Sequence, residues 1–175
     1  MNRFNIALIP SNPVFQELFA RLAQTYFSTI QDEYILGENA LAHITLCQFF
    51  ADTEQAAVNA YSTFVDKAIA HLFIHRFNLR KGEGRHTGKF WAEFLVDREP
   101  DLLERQRKCY HHLIENDLRP LTPVETYSPH VTLARISHEV AELPLISLIP
   151  ERRFECYLAL GNSSENGKLV NIIKV

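Results

Sequence analysis

The sequence has no long apolar run. Its opening stretch from Ile6 to Ile9 stops at Pro10, far short of the ~20 residues a membrane-spanning helix needs and too short for a secretory signal. Glycine and proline are sparse, 6 and 8 in 175 residues, so long linkers and low-complexity tails are excluded. The three cysteines, Cys47, Cys109 and Cys156, are odd in number and form no Cys-x-x-Cys spacing. Neither a disulfide framework nor a zinc ribbon is expected, and a reducing cytoplasm suits them best. Excess positive charge is missing too: the formal net charge is −3, which argues against coating long nucleic acid through counterion release and leaves a small or terminal phosphate open as a partner. What is present, 46% hydrophobic and 22% charged residues, describes a folded, soluble protein, expected to be a monomer without membrane contact. At this length the chain makes one domain, or two small lobes packed closely together, and buries roughly two-thirds of its unfolded surface.

The pattern along the chain predicts strands alternating with helices. Arg3 to Ile9 reads as a strand, and Asn12-Pro13 as a helix start with Asn as cap, after which Val14, Leu18 and Leu22 recur at helical spacing. His43 to Phe49 has the β-branched and aromatic content of a second strand. Asp52 with Gln55 resembles a capping box for a helix whose apolar face runs through Ala57, Tyr61, Phe64, Val65, Ala68 and Ile69. Leu72 to Leu79 and Lys89 to Val96 read as strands joined by a charged loop, Arg80 to Lys89, with three glycines. Pro100 opens a helix with Leu102, Leu103, Cys109, Tyr110, Leu113 and Ile114 on one broad face, ending near Asn116. Ser128 to Arg135, Arg153 to Leu160 and Lys168 to Val175 read as further strands, the last two forming a closing hairpin around the loop Gly161 to Gly167, and Ser137 to Pro150 carries no clear pattern.

One four-residue pattern occurs twice, as His43-Ile44-Thr45-Leu46 and as His130-Val131-Thr132-Leu133. A shuffled chain of this composition would hold two copies roughly once in 10⁴ to 10⁵ trials, so the repeat is a signal. A strand repeats every two residues, so each motif puts its His and Thr on one face, about 6–7 Å apart, with Ile44, Leu46, Val131 and Leu133 turned to the other. Two such strands across a cleft would set one imidazole on each side of a phosphorus atom. One His takes a proton from water, the other gives one to the departing sugar oxygen, and Thr45 and Thr132 donate to the non-bridging oxygens. Which His plays which part is open in a symmetric pair, and no metal or cofactor is needed.

At these residues the chain resembles the two-histidine (2H) phosphoesterase superfamily, in particular its 2′-5′ RNA ligase and RNA 2′,3′-cyclic phosphodiesterase branch. Both copies match that family's His-x-Thr/Ser motif, and further similarity lies in Arg3 to Pro10, in Phe90-Trp91-Ala92 and in Pro129 to Arg135. After the first motif the family usually continues Phe-Leu-Gly, where this chain has Cys47-Gln48-Phe49-Phe50-Ala51. The resemblance implies an α+β fold over residues 1–175, with two pseudo-symmetric lobes of mostly antiparallel sheet, helices packed outside and a central cleft. It also implies hydrolysis of 2′,3′-cyclic or 2′-5′ phosphodiesters, with RNA ends or small nucleotides as partners. The alternative is a module that binds RNA ends or nucleotides without turning them over.

Other residues carry weaker expectations. His71 and His75 stand four apart, but on a strand, which does not suit a metal pair. Cys109 and His112 could share a helix face without further ligands nearby. Cys47 is expected on the same strand face as His43 and Thr45, as a small buried hydrophobe. Trp91 and Tyr127 are expected to pack in the core, with base stacking as the other option. Arg135, one residue out of phase with His130, is expected to point away from the cleft into an ion pair.

Overall fold

The computed structural model describes residues 1–64, 66, 68–141 and 143–175. Helix α1 (Pro13–Phe27) follows strand β1 (Asn2–Pro10), capped by Asn12, whose side chain accepts a hydrogen bond from the Val14 amide at 3.0 Å, with Pro13 in the first turn as expected. Its buried face is Phe15, Leu18, Phe19, Leu22, Ala23 and Phe27, while Val14, expected on that face, is exposed. Strand β2 (Gln31–Ile35) has no counterpart in the sequence reading, and the reason is local. It pairs with its neighbour only at its two ends, because Glu33 sits at φ +62 and breaks the extended run.

Strand β3 (Ile44–Ala51) carries the first motif and leads into α2 (Glu54–Thr63). The cap of α2 is Thr53, one residue after the expected Asp52: its hydroxyl accepts from the Ala56 amide at 3.2 Å. The helix also stops earlier than expected. Phe64 is already extended, Ile69 is exposed, and Val65 lies outside the described residues.

Strand β4 (Ala70–Lys81) is long, and β5 (Phe90–Val96) returns along it after the loop that holds Gly84 and Gly88. Arg80 therefore stands on a strand and not in the loop to which the sequence reading assigned it. Helix α3 (Pro100–Glu115) buries Leu102, Gln106, Cys109 and Leu113, whereas Ile114 is exposed. Gln106 takes an apolar-face position because its Nε2 donates to the Thr122 carbonyl at 3.0 Å. A two-residue strand β6 (Arg119–Pro120) precedes β7 (His130–Ile136), which carries the second motif, and β8 (Arg153–Ser163) and β9 (Leu169–Lys174) close the chain as a hairpin. In the described part of the unassigned stretch lies a 3-10 turn, Leu145–Leu148.

The fold is α+β: α1, α2 and α3 pack against a mostly antiparallel sheet in the order β2-β7-β5-β4-β8-β1-β3-β6, with β9 added beside β8. Strand β4 connects the halves, pairing with β8 through its first residues and with β5 through the rest. A further contact brings β3 against β7, although the sheet is not a regular barrel. One main core cluster joins α1, α2 and α3 to the strands, and a smaller one gathers Ala7, Ile9, Ala159 and Leu169 on the other face of β1. Among the described residues no helix is long and apolar enough to cross a membrane.

Candidate active site

The two motif strands meet at a single antiparallel pair, Ile44 with Val131, both fully buried. Alternation along each strand then turns the flanking residues to the opposite face. Counting outward from the pair, His43 falls opposite Thr132, and Thr45 opposite His130. The four residues thus stand around a local two-fold centred on Ile44 and Val131, and all four line one cavity of about 660 Å³.

Both motifs share a second feature that the period-2 reading does not contain. Along β1 and β3, Ile6 pairs with Cys47 and Ala7 with Thr45, so Leu46 has no partner. Along β5 and β7, Ala92 pairs with Ala134 and Glu93 with Thr132, so Leu133 has none. Each motif therefore carries an extra residue at its fourth position, a bulge of the kind that re-aims side chains beside active sites. Two expectations fail for this reason. Cys47 does not share a face with His43 and Thr45; it shares the buried face of Ile6, and burial pushes its thiol up to about 11. Gln48 takes the cleft side and lines the cavity. Arg135 likewise shares the face of Trp91, 5.7 Å from its ring, and does not point away from it. The expected ion pair is nevertheless there, with Asp32 at 3.2 Å and Glu33 at 2.7 Å.

Each imidazole is held by its own backbone. His43 Nδ1 lies 2.7 Å from the Leu41 carbonyl and His130 Nδ1 lies 2.7 Å from the Ser128 carbonyl. A carbonyl only accepts, so Nδ1 carries the hydrogen in both rings and Nε2 is left for chemistry. Beyond that the rings differ. Burial pulls His43 down from 6.5 to about 4, against the opposing effect of the Leu41 carbonyl, with His130 adding to the lowering and the Gly167 backbone opposing it. His130 is half-buried, and its Nε2 stands 3.8 Å from the Glu93 carboxylate, which is 1% exposed.

The hydroxyl of Thr45 is poised by its neighbour. Asn5 Nδ2 donates to Thr45 Oγ1 at 2.9 Å, so the threonine's own hydrogen is free to be donated into the cavity. Tyr127 also lines the cavity, and its hydroxyl donates to the Thr45 carbonyl at 3.0 Å. Trp91 is nearly buried but reaches the same wall, edge-on to His86. Both aromatics belong to the buried core cluster, as expected, and each also shows an edge to the cavity.

Three contributions escaped the sequence reading: Asn5, Glu93 and the nearness of the Asn166-Gly167 turn to His43. A signal existed for two of them. Glu93 is the lone carboxylate in Phe90 to Val96, and Asn5 the lone amide in Phe4 to Ile9. A polar residue inside an apolar strand either has partners or costs stability. Glu93 has them: Asn78 Nδ2 donates to Oε1 at 2.9 Å and Arg80 Nε to Oε2 at 3.3 Å. The sequence marks the turn itself, at the end of the loop between the last two strands, but not its place beside His43, to which ties across the fold carry it. Arg85 bonds Glu165, and Arg135 and Asn166 share Glu33.

Of the residues weighed as metal ligands, His71 and His75 face Glu155 and Asp97 separately, at 3.7 and 3.4 Å. His112 Nε2 lies 2.9 Å from the Ala60 carbonyl, apart from the buried Cys109. Among the described residues no group of three or more His, Cys, Asp or Glu could hold a metal ion.

At the level of sequence, no family model and no curated protein matches the chain. Solved structures match it closely in shape. A phosphoesterase superposes with a TM-score of 0.70 at 14% identity, over 99% of this chain and 95% of that one. E. coli LigT complexed with 3′-AMP gives 0.68 at 13% identity, and LigT complexed with NADP+ gives 0.66 at 14%, each again over 99% and 95% of the two chains. The fold is therefore LigT-like.

Proposed function

We propose that the protein is a metal-independent phosphodiesterase of the two-histidine type that opens 2′,3′-cyclic phosphates or cleaves 2′-5′ bonds in RNA ends or small nucleotides, with reversal to 2′-5′ ligation as the same chemistry run backward. The observation that carries the reading is the local two-fold about Ile44 and Val131, which brings two imidazoles and two threonine hydroxyls to one cavity. A mere binding site needs no acid and base set together. The likeness to a phosphoesterase and to LigT, which has been seen with 3′-AMP, phosphate, NADP+ and ATP, supports a nucleotide phosphate as substrate. The same reading takes residues 1–175 as one domain of two pseudo-symmetric lobes and the active form as a monomer in the cytoplasm.

In this scheme the phosphorus sits between His43 and His130. Water attacks as one Nε2 removes its proton, and the bond to the sugar oxygen breaks as the other Nε2 supplies a proton to that oxygen. Thr45 and Thr132 donate to the non-bridging oxygens, where negative charge builds up. Because the roles require one neutral and one protonated ring, the rate should follow a bell-shaped pH profile whose two limbs belong to the coupled pair.

The test is a panel of 2′,3′-cyclic nucleotides, 2′-5′ dinucleotides and RNA with a cyclic phosphate end, incubated with chelator and followed by phosphorus NMR. Cleavage that persists with chelator is expected. Loss of all cleavage, restored by one divalent metal, would end the acid–base scheme, and binding without cleavage of any member would favour the binding module.

A further inference from the structure

The local two-fold that relates the motifs breaks at one position. Thr45 pairs across the sheet with Ala7, and Thr132, its equivalent, pairs with Glu93. The unpartnered residues Leu46 and Leu133 fix this equivalence, since they interrupt the two ladders at the same place. Where the first half has a methyl group closed over by Ala159 and Leu169, the second has a buried carboxylate facing His130.

We propose that Glu93 is the positioning residue that tells the histidines apart: it holds the transferable proton on Nε2 of His130, making His130 the acid and His43 the base. This rests on the phosphodiesterase reading above. The carboxylate cannot turn away, because Asn78 holds Oε1 and Arg80 holds Oε2, the oxygen that faces the ring. At 3.8 Å the Nε2 hydrogen is attracted without being committed to a hydrogen bond, so a substrate oxygen can take it. The other charges around His130 are Arg80 on β4, which shares Oε2 and opposes the effect, and His43 across the cleft, with Glu83, His86 and Glu165 further out on the cavity wall. Among the described residues Glu93 is the one at ion-pair distance from His130. On the other side, the same burial that keeps His43 neutral suits a group that must accept a proton.

The step balances as follows. The water oxygen forms the new bond to phosphorus and its proton goes to His43 Nε2. The bond from phosphorus to the sugar oxygen breaks, and the His130 Nε2 proton passes to that oxygen. One water has been added, one proton has moved from His130 to His43, and exchange with solvent resets the pair. Glu93 takes no part in the transfer.

Glu93→Gln keeps the shape and the bond to Asn78 and removes the charge. Ring nitrogen-15 NMR over pH 4 to 9 on the intact protein should show the His130 midpoint falling by about one pH unit in this variant, with His43 unmoved. Arg80→Gln, at a half-exposed position, should move the same midpoint upward. On 2′,3′-cyclic AMP, kcat of Glu93→Gln should fall about 10-fold or more with KM within about threefold, the alkaline limb of the rate moving to lower pH, and Glu93→Asp should recover part of the loss. The inference is overturned if the His130 midpoint stays put in Glu93→Gln, if both variants shift it in the same direction, or if His43 moves instead. Should Glu93→Gln not fold, an unmoved midpoint in Arg80→Gln overturns it alone. Absence of turnover by the wild type defeats the functional reading, while the ring titrations still decide the role of Glu93.

Discussion

His43 and His130 stand in nearly the same backbone frame. Each follows the carbonyl that fixes its tautomer by two residues, each precedes a threonine by two, and each strand breaks its ladder at the following leucine. Their surroundings are not alike. The first is sealed, with Ala7 beside its threonine and its own ring 6% exposed. The second is open to the cleft and backed by a carboxylate. On the proposed reading, a duplicated motif supplies the geometry of a two-sided proton transfer, and the residues on the strands next to the motifs supply its direction. Symmetry in the backbone and asymmetry in the neighbours are separate properties, encoded by different parts of the chain.

Removing either imidazole tests the symmetric half of that comparison and should have the largest effect. His43→Ala and His130→Ala should each lower kcat on a cleaved substrate by roughly 10²- to 10⁴-fold, with little change in affinity. Near wild-type turnover in either variant would make that ring structural and leave the pair unequal in kind. The threonines come next, at about 10- to 10³-fold for Thr45→Ala and Thr132→Ala, since water can partly replace a hydroxyl donor. Here the halves can be separated, because Thr45 alone takes a hydrogen bond from Asn5 in the structure. Asn5→Leu should lower kcat by about fivefold, the worth of roughly one hydrogen bond, by letting the Thr45 hydroxyl turn. Combined with Thr45→Ala it should add nothing, and additive losses in the double variant would show that Asn5 acts elsewhere.

Stability against acid separates the rings without a substrate. The folded state resists protonating His43 until about pH 4, whereas the unfolded chain takes that proton near 6.5. Between those values the unfolded state binds more protons, so stability is lost as pH falls through the window, by up to about 3 kcal/mol. His43→Gln should lose less stability than the wild type between pH 7 and pH 4 in urea denaturation. An identical pH dependence in the two proteins would mean that burial does not hold His43 neutral. The acidic limb of kcat/KM should likewise lie well under 6.5.

The smallest effect belongs to Cys47, the motif neighbour that the bulge turns into the core. Alkylating reagent at pH 8 should leave activity unchanged, because the thiol is buried and its ionisation is pushed up to about 11. Inactivation blocked by substrate would put Cys47 on the cleft side after all.

Much of this molecule is legible from local chemistry. The Asn12-Pro13 start of α1, the end of α3 near Asn116 and the strands at both motifs follow from capping and from period-2 patterning, which act over a few residues. The four residues His43, Thr45, His130 and Thr132 are legible for the same reason, since spacing on a strand decides which side chains share a face. Tertiary structure alone decided the rest. Which way Cys47 and Arg135 point depends on an extra residue in each motif strand, and that residue exists only relative to the partner strand. The lowering of His43 by His130, the carboxylate beside His130 and the turn beside His43 join residues 87, 37 and 124 positions apart: His43 with His130, Glu93 with His130, and Gly167 with His43. Proton affinity is set by burial and by charges within a few ångströms, and those distances come into being only when the sheet brings separate strands together.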